Sequence, residues 1–224
     1  MSRGPEQIPA YEGLYNRVFK RILDIAAAAA ILLVIWPVLL IAGAAVALED
    51  GFPVLYRAPR GGYWGKTFRI CKFRTMVKNA DKLGGGTTAL HDPRITRVGN
   101  FLRKTKLDEF PQFFQVLTGE MSLIGPRPEL LQYTGQYQGE ELDILKVRPG
   151  ITDYSSIEFI NLDEIVGAGD ADARYEELVL PQKNALRIKY AHTVSLKTDL
   201  YLLWKTASSV LGKIFGFLFR KEHR

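Results

Sequence analysis

Asp108 and Glu109 stand side by side just before Pro111, which reads as the first residue of a short helix over 111–117. Helix N-termini carry partial positive charge and free backbone donors, so carboxylates, a phosphate or both suit that place. Two arginines are framed by prolines: Arg127 in Gly125-Pro126-Arg127-Pro128-Glu129 and Arg148 in Arg148-Pro149-Gly150-Ile151-Thr152. A guanidinium on a stiffened backbone loses less entropy when it grips a phosphate or carboxylate. Lys72 and Arg74 share one face with Phe68 and Ile70 if residues 68–74 are extended, which sets two cations beside each other at the end of a buried strand. Each feature also has a structural reading, the acids as a helix cap and the arginines as partners of structural carboxylates. Together they suggest phosphate chemistry.

The rest of the chain must position these groups. Residues 57–106 hold 13 basic and 2 acidic side chains, and residues 107–180 hold 4 basic and 15 acidic ones. Residues 1–56 are close to neutral, and residues 181–224 are basic again. A strongly cationic block next to a strongly anionic one suits an anionic ligand or lipid surface on one side and acidic chemistry on the other. With 224 residues, 47% of them hydrophobic, the chain can build one sizeable core, which excludes a disordered tail as its main description. Its lone Cys71 excludes an intrachain disulfide and with it a disulfide-rich secreted scaffold.

Residues 25–48 contain no charged side chain, and as a straight helix they would extend roughly 36 Å, enough to cross a bilayer. Arg17, Lys20 and Arg21 precede the segment and the basic block follows it, so positive charge flanks both ends, against the tendency of a simple spanning helix. Pro37 at its centre removes a helical hydrogen bond. The expected topology is a re-entrant hairpin broken at Trp36-Pro37, with a kinked spanning helix as the alternative. A cleaved signal peptide is disfavoured because the apolar run is too long. The expected organisation is a lead-in over 1–24, the hairpin over 25–48, a catalytic domain over 49–195 and an amphipathic interfacial helix over 196–224.

Within 54–76, short apolar runs broken by Gly61-Gly62 and Gly65 predict a strand pair, and 78–96 with Gly84-Gly85-Gly86 reads as a mobile loop. No Lys-Ser or Lys-Thr pair follows the triple glycine, so it is not a phosphate loop. Helices are expected over 98–106, 111–117, 135–147, 170–192 and 196–219. Lys197, Lys205 and Lys213 recur at eight-residue spacing along one face of the last.

Four ordered stretches carry a resemblance: Lys72-Phe73-Arg74-Thr75-Met76, Arg103 through Gln112, Met121-Ser122-Leu123-Ile124-Gly125-Pro126-Arg127-Pro128, and Arg148-Pro149-Gly150-Ile151-Thr152. The sequence resembles the bacterial sugar transferases, the monotopic polyprenyl-phosphate phosphoglycosyl transferases, in their short form. The resemblance covers residues 15–155, and it places Trp36-Pro37 at the family's helix break. It implies an α+β, predominantly helical, membrane-associated single domain on the cytoplasmic face of the bacterial inner membrane. The implied enzyme moves a sugar-1-phosphate from a UDP-sugar to a polyprenyl (undecaprenyl) phosphate and releases UMP, the first membrane step in assembling a polysaccharide or glycoconjugate. Asp108 and Glu109 are the implied catalytic pair: Asp108 matches the nucleophile and is a Mg²⁺ ligand, Glu109 is a ligand or a positioning group, and Lys72, Arg74, Arg127 and Arg148 are phosphate-holding groups. Membrane lipid is an implied partner and nucleic acid is not; an oligomer is compatible with the sequence, which assigns none. After Thr152 the chain departs from the pattern of many members, with Asp153-Tyr154-Ser155-Ser156-Ile157-Glu158-Phe159-Ile160 in place of a Gln-Val and Gly-Arg stretch. Two other readings compete. One is a membrane-tethered binding module, supported by charge alone. The other is a glycosyltransferase that would release a nucleoside diphosphate.

Overall fold

A computed structural model describes residues 9–83, 86–167 and 170–219. Part of the expected lead-in, Gly84 and Gly85 of the triple glycine, and residues 220–224 of the expected last helix lie outside the described residues. The fold is mostly helical with two small sheets.

The chain enters through a 3-10 turn, Ala10–Glu12, and a π-helical turn, Tyr15–Phe19, and continues as α1, Lys20–Asp50. Among the described residues, Tyr15–Asp50 is the one helix long and apolar enough to cross a membrane. Here the expectation of two arms separated at Trp36-Pro37 is corrected: helical backbone runs through Pro37 without interruption. Proline forfeits only its own hydrogen bond to the carbonyl of Leu33, and the bonds on either side hold the helix together. Ala28, Leu32, Ala42 and Val46 form a buried stripe along α1, while Leu33, Val34, Trp36, Leu40, Ile41 and Leu48 face outward.

Both ends of α1 are tied by polar contacts to the body formed by the rest of the chain. At the first end, the Lys20 amine reaches Asp199 at 2.6 Å, Arg21 donates to the carbonyls of Val116 and Leu117, and Asp24 accepts the Leu123 N–H at 3.0 Å. At the other end, Glu49 accepts the N–H groups of Arg97 and Val98, each at 2.9 Å. Asp50 forms an ion pair with Arg74 at 3.0 Å.

The predicted strand pair is present: β1, Leu55–Gly61, and β2, Thr67–Phe73, run antiparallel, joined by a 3-10 turn. Phe68 and Ile70 pack with Ala28, Ala58, Val116 and Met121 in one core cluster. The segment 78–96 is largely irregular, and its backbone is fastened where Gly86 and Thr87 donate to the Asp172 carboxylate and Leu90 donates to Gly167. Next come α2, Arg97–Lys104, and α3, Gln112–Thr118, close to the helices predicted over 98–106 and 111–117. Pro111 is the cap residue of α3, one place before the expected position.

After α3, β3, Ser122–Ile124, pairs in parallel with β4, Gly150–Thr152; α4, Leu131–Thr134, and a 3-10 helix, Gly139–Lys146, lie between them. At the β3–β4 crossing two glycines are required. A Cβ on Gly125 would sit 2.2 Å from the Arg148 carbonyl oxygen, and one on Gly150 would sit 2.1 Å from the Gly125 nitrogen. The chain closes with α5, Tyr154–Glu158; α6, Leu162–Val166; α7, Ala171–Arg174; a π-helical turn, Tyr175–Val179; α8, Leu180–Thr193; and α9, Leu196–Phe219. Leu202 of α9 is buried with Tyr11, Val147 and Tyr190, while Leu200, Leu203, Trp204, Leu211 and Phe215 are exposed.

The glycine crossing makes a direct prediction. Gly150→Ala would strain the backbone by roughly 4 kcal/mol and lower the melting temperature by about 10 °C or more. Gly212→Ala, whose Cβ would meet nothing within 4 Å on α9, leaves it unchanged or slightly raised. Equal melting curves for the two variants would contradict the crossing.

Candidate active site

Lys106, just after α2, adopts a left-handed conformation with φ +60°, followed by a 3-10 turn over Leu107–Glu109. This reversal ends α2 and aims the acidic pair at β2 rather than outward. Left-handed backbone is costly for a residue with a Cβ and collects at functional sites. Arg21 binds the carbonyls at the far end of α3, so α1 fixes the helix that the acids precede.

Asp108 is 5% exposed, and its Oδ1 is buried without a hydrogen-bond partner. Glu109 is fully engaged instead. The Arg127 guanidinium binds both of its carboxylate oxygens, with Nη1 3.0 Å from Oε2, and Nη1 also donates to the Ile151 carbonyl at 3.0 Å. The Arg127 N–H donates to Asp153 Oδ2 at 3.2 Å. Asp153, fully buried, caps α5 by accepting from Ser156 N at 2.7 Å and from the Ser155 and Ser156 hydroxyls.

The environment separates the two acids. Burial first, and then the charge of Glu109, push the Asp108 carboxyl up to about 6, while Lys72, Lys106 and Arg103 pull the other way. Burial also acts to raise Glu109, but Arg127, Lys106 and Lys72 outweigh it and hold that carboxyl down at about 2. Burial pushes the Lys72 amine down to about 8 against the attraction of Asp108. One acid is therefore a fixed anion with a dedicated counter-ion, and its neighbour has an open oxygen and titrates near neutrality.

Lys72, Asp108, Glu109 and Arg127 meet on the wall of one open cavity of about 1120 Å³. Arg103, Lys106, Thr152 and Ser155 also line it, as do Thr206 and Lys213 of α9. The Thr152 and Thr206 hydroxyls lie 2.8 Å apart, and the Lys213 amine donates to Ile160 O and Asn161 Oδ1, joining α9 to the rim.

Two expected phosphate-holding arginines are engaged elsewhere. Arg74 lies beyond the end of β2 and donates to the carbonyls of Asp50, Gly51 and Pro53, closing the exit of α1. Arg148 lies over the Tyr63 ring at 4.7 Å and is not part of the cavity wall. Arg127 lines the cavity, but its fork holds Glu109. Trp36 and Pro37 are on α1, away from the cavity lining.

The sequence reading missed Arg103, Lys106 and Asp153. Asp153 had a usable signal, an acidic residue ahead of Ser155-Ser156 at a helix start. The cations lie in the stretch from Arg103 through Gln112 that carries the resemblance, and neither that stretch nor the charge of their block singled them out.

Fold and site define a domain carrying a long apolar helix, with an open-oxygen acid in a cationic cavity, an arrangement suited to chemistry on phosphates. The chain belongs to the bacterial sugar transferase family, whose profile matches residues 15–213. It is 48% identical over 147 residues to the UDP-glucose:undecaprenyl-phosphate glucose-1-phosphate transferase of Escherichia coli (strain K12), covering 63% of this chain and 31% of that protein. An enzyme of the same description from Caulobacter vibrioides is 36% identical over 195 residues, covering 86% and 69%. The UDP-N-acetylgalactosamine-undecaprenyl-phosphate N-acetylgalactosaminephosphotransferase of Aeromonas hydrophila is 34% identical over 195 residues, covering 86% and 43%. The chain thus spans less than half the length of two of these relatives.

The split between the acids is testable by infrared titration of the carboxylate bands. One buried carboxyl titrates near pH 6 in the wild type and disappears in Asp108→Asn. In Arg127→Ala, Glu109 loses its counter-ion and titrates within or above the ordinary carboxylate range of roughly pH 4 to 5. A Glu109 band unmoved by Arg127→Ala would contradict the assignment.

Proposed function

We propose that the protein transfers a sugar-1-phosphate from a UDP-sugar to a polyprenyl phosphate such as undecaprenyl phosphate, through a covalent phosphosugar on Asp108. The observation that carries this reading is Asp108, which has one buried oxygen without a hydrogen-bond partner and lies on the wall of a cavity also lined by Lys72, Arg103 and Lys106. The relatives' names supply the class of donor and acceptor.

In the first step a carboxylate oxygen of Asp108 attacks the sugar-bearing phosphorus. The bond from that phosphorus to the bridging oxygen breaks, and its electron pair leaves with UMP. In the second step a phosphate oxygen of the polyprenyl phosphate attacks the same phosphorus. The acyl-phosphate bond breaks, the carboxylate is restored, and a polyprenyl diphosphate sugar is formed. No proton transfer is needed. Two displacements through a protein nucleophile keep the anionic donor and anionic acceptor from having to react directly. Lys72, Arg103 and Lys106 offset the negative charge around Asp108, and Glu109, tied to Arg127, keeps the turn before α3 in register.

The residues fit a Mg²⁺ ion that arrives with the donor's diphosphate. Asp108 has an open oxygen, both Glu109 oxygens are bound to Arg127, and no group of three or more His, Cys, Asp or Glu side chains is gathered as a cage among the described residues. Such an ion would neutralise the diphosphate and stabilise the departing nucleotide, with Asp108 as its protein ligand.

The polar ties at both ends of α1 support a membrane element that enters and leaves on one face. If α1 spanned the bilayer, the body touching both ends would be drawn into it along with the ion pairs of Lys20 and Asp50. The positive flanks support the cytoplasm as that face, and the undecaprenyl phosphate in the relatives' names supports the bacterial inner membrane as the location.

Three outcomes test the proposal. Incubated with UDP-glucose or UDP-N-acetylgalactosamine and Mg²⁺ but no acceptor, the wild type gains one sugar-phosphate by intact mass and releases one equivalent of UMP, whereas Asp108→Asn does neither. A binding module would show no adduct, and a glycosyltransferase would release UDP. Adduct formation rises with pH through about 6 as Asp108 ionises beside Glu109, Lys72, Lys106 and Arg103. It falls above about 8 as the Lys72 amine loses its proton; a profile flat from pH 5 to 9 would contradict these roles. Finally, Glu12→Cys and Phe52→Cys, at exposed sites flanking α1, react with an impermeant thiol reagent from the same membrane face. Labelling from opposite faces would establish a spanning helix.

A further inference from the structure

The cavity that holds the acidic pair is also lined by Phe159, Tyr175 and Lys183. Lys183, in the first turn of α8, is 7% exposed. Its amine lies 4.9 Å from the centre of the Tyr175 ring and 5.8 Å from that of Phe159, with no hydrogen bond or ion pair to it among the described contacts. The nearby carboxylates are committed. Glu129 accepts from Arg187 at 3.0 Å, from the Tyr175 hydroxyl and from the Leu130 N–H. Asp153 accepts from Ser155, Ser156 and Arg127.

Burying an ammonium without a carboxylate is expensive, and two aromatic faces offset only part of that cost. A hydrophobic side chain of the same length would pack there more cheaply. Lys183 lines an open cavity, so its counter-charge can come from a ligand. Burial, followed by the charge of Arg187, pushes the Lys183 amine down to about 8, which leaves it mostly charged at neutral pH.

We infer that Lys183 binds the nucleoside-side phosphate of the donor and holds the departing nucleoside monophosphate. This rests on the proposed reaction and adds to it a residue outside the four stretches that carry the family resemblance. When Asp108 attacks, the sugar-bearing phosphate is held near Lys72 and Arg103, and the second phosphate gains negative charge as the bridging bond breaks. Arg127 lies within electrostatic reach of both Lys72 and Lys183, but its fork is occupied by Glu109. Lys183 offers that second phosphate an uncommitted ammonium. Phe159 belongs to the segment that departs from the common pattern after Thr152, so that segment builds part of the cavity wall.

Lys183→Met keeps an unbranched side chain, one atom shorter, that can pack against the rings while removing the charge. With UDP-glucose or UDP-N-acetylgalactosamine, whichever the wild type turns over, the variant is expected to raise the donor KM about tenfold or more. It is expected to leave the polyprenyl phosphate KM unchanged and the melting temperature without ligand equal or higher. An unchanged donor KM, or a fall in melting temperature with no change in donor KM, would assign Lys183 a structural role and overturn the inference. A second measurement uses the wild type alone. Acylation of Lys183 by an amine-reactive ester, followed by mass spectrometry, is expected to slow at least fivefold with saturating UMP and not with uridine. Equal protection by uridine, or none by UMP, would overturn the inference. UMP protection needs no turnover, so a wild type protected by UMP that forms no adduct would sink the proposed reaction and leave this binding role standing.

Discussion

The structure depends on the polar ties at the two ends of an otherwise apolar helix. Lys20, Arg21 and Asp24 bind α9, the end of α3 and β3, while Glu49 and Asp50 bind the start of α2 and the side chain that follows β2. Each of those elements contributes to the cavity or leads directly into it. Arg21 satisfies the Leu117 carbonyl at the end of α3 and joins the Gly119 N–H on the Val116 carbonyl, and Glu49 satisfies N–H groups at the start of α2, where an anion is favoured by the helix dipole. The long apolar helix is therefore also the beam against which the cavity walls are set. Moving either end would disturb the position of Asp108.

From that frame the chemistry follows through unequal surroundings of two equal groups. Asp108 and Glu109 are adjacent acids in one turn, yet the parallel pairing of β3 and β4 brings Arg127 to one of them only. Asp153 accepts from the Arg127 backbone, Ile151 accepts from Nη1, and the two Glu109 oxygens accept from Nη1 and Nη2. Asp108 is left with burial, a neighbouring negative charge and several cations at longer range. Such separation of paired acids is a general way to obtain one structural anion and one reactive carboxyl from the same motif.

Much of this was legible in the residues, and the illegible part has physical reasons. The uncharged stretch over 25–48, the glycine-broken strand pair and the acids ahead of a proline-led helix each have a local pattern, and each is present. The β3–β4 pair had no such pattern, because three residues are too short to show a period and parallel partners are distant in sequence. For that reason the prolines around Arg127 and Arg148 drew attention to the arginines, whereas the neighbouring glycines mark the closest backbone contact. Arg74 shares an alternating face with Lys72 only while the strand lasts, and β2 ends at Phe73. Pro37 was given more weight than one missing hydrogen bond carries in a helix of 31 residues. Lys183 could not be picked out because an unpartnered buried lysine looks, in sequence, like any other lysine.

The central claim is that surroundings make Asp108, and not Glu109, the carboxylate that takes the phosphosugar. The most direct measurement is to quench the acceptor-free reaction with tritiated borohydride, which reduces an acyl phosphate to an alcohol, and then to sequence the labelled peptide. The account predicts homoserine at position 108 with position 109 unaltered. Label at 109, or an unlabelled protein that nonetheless turns over donor and acceptor, would contradict it.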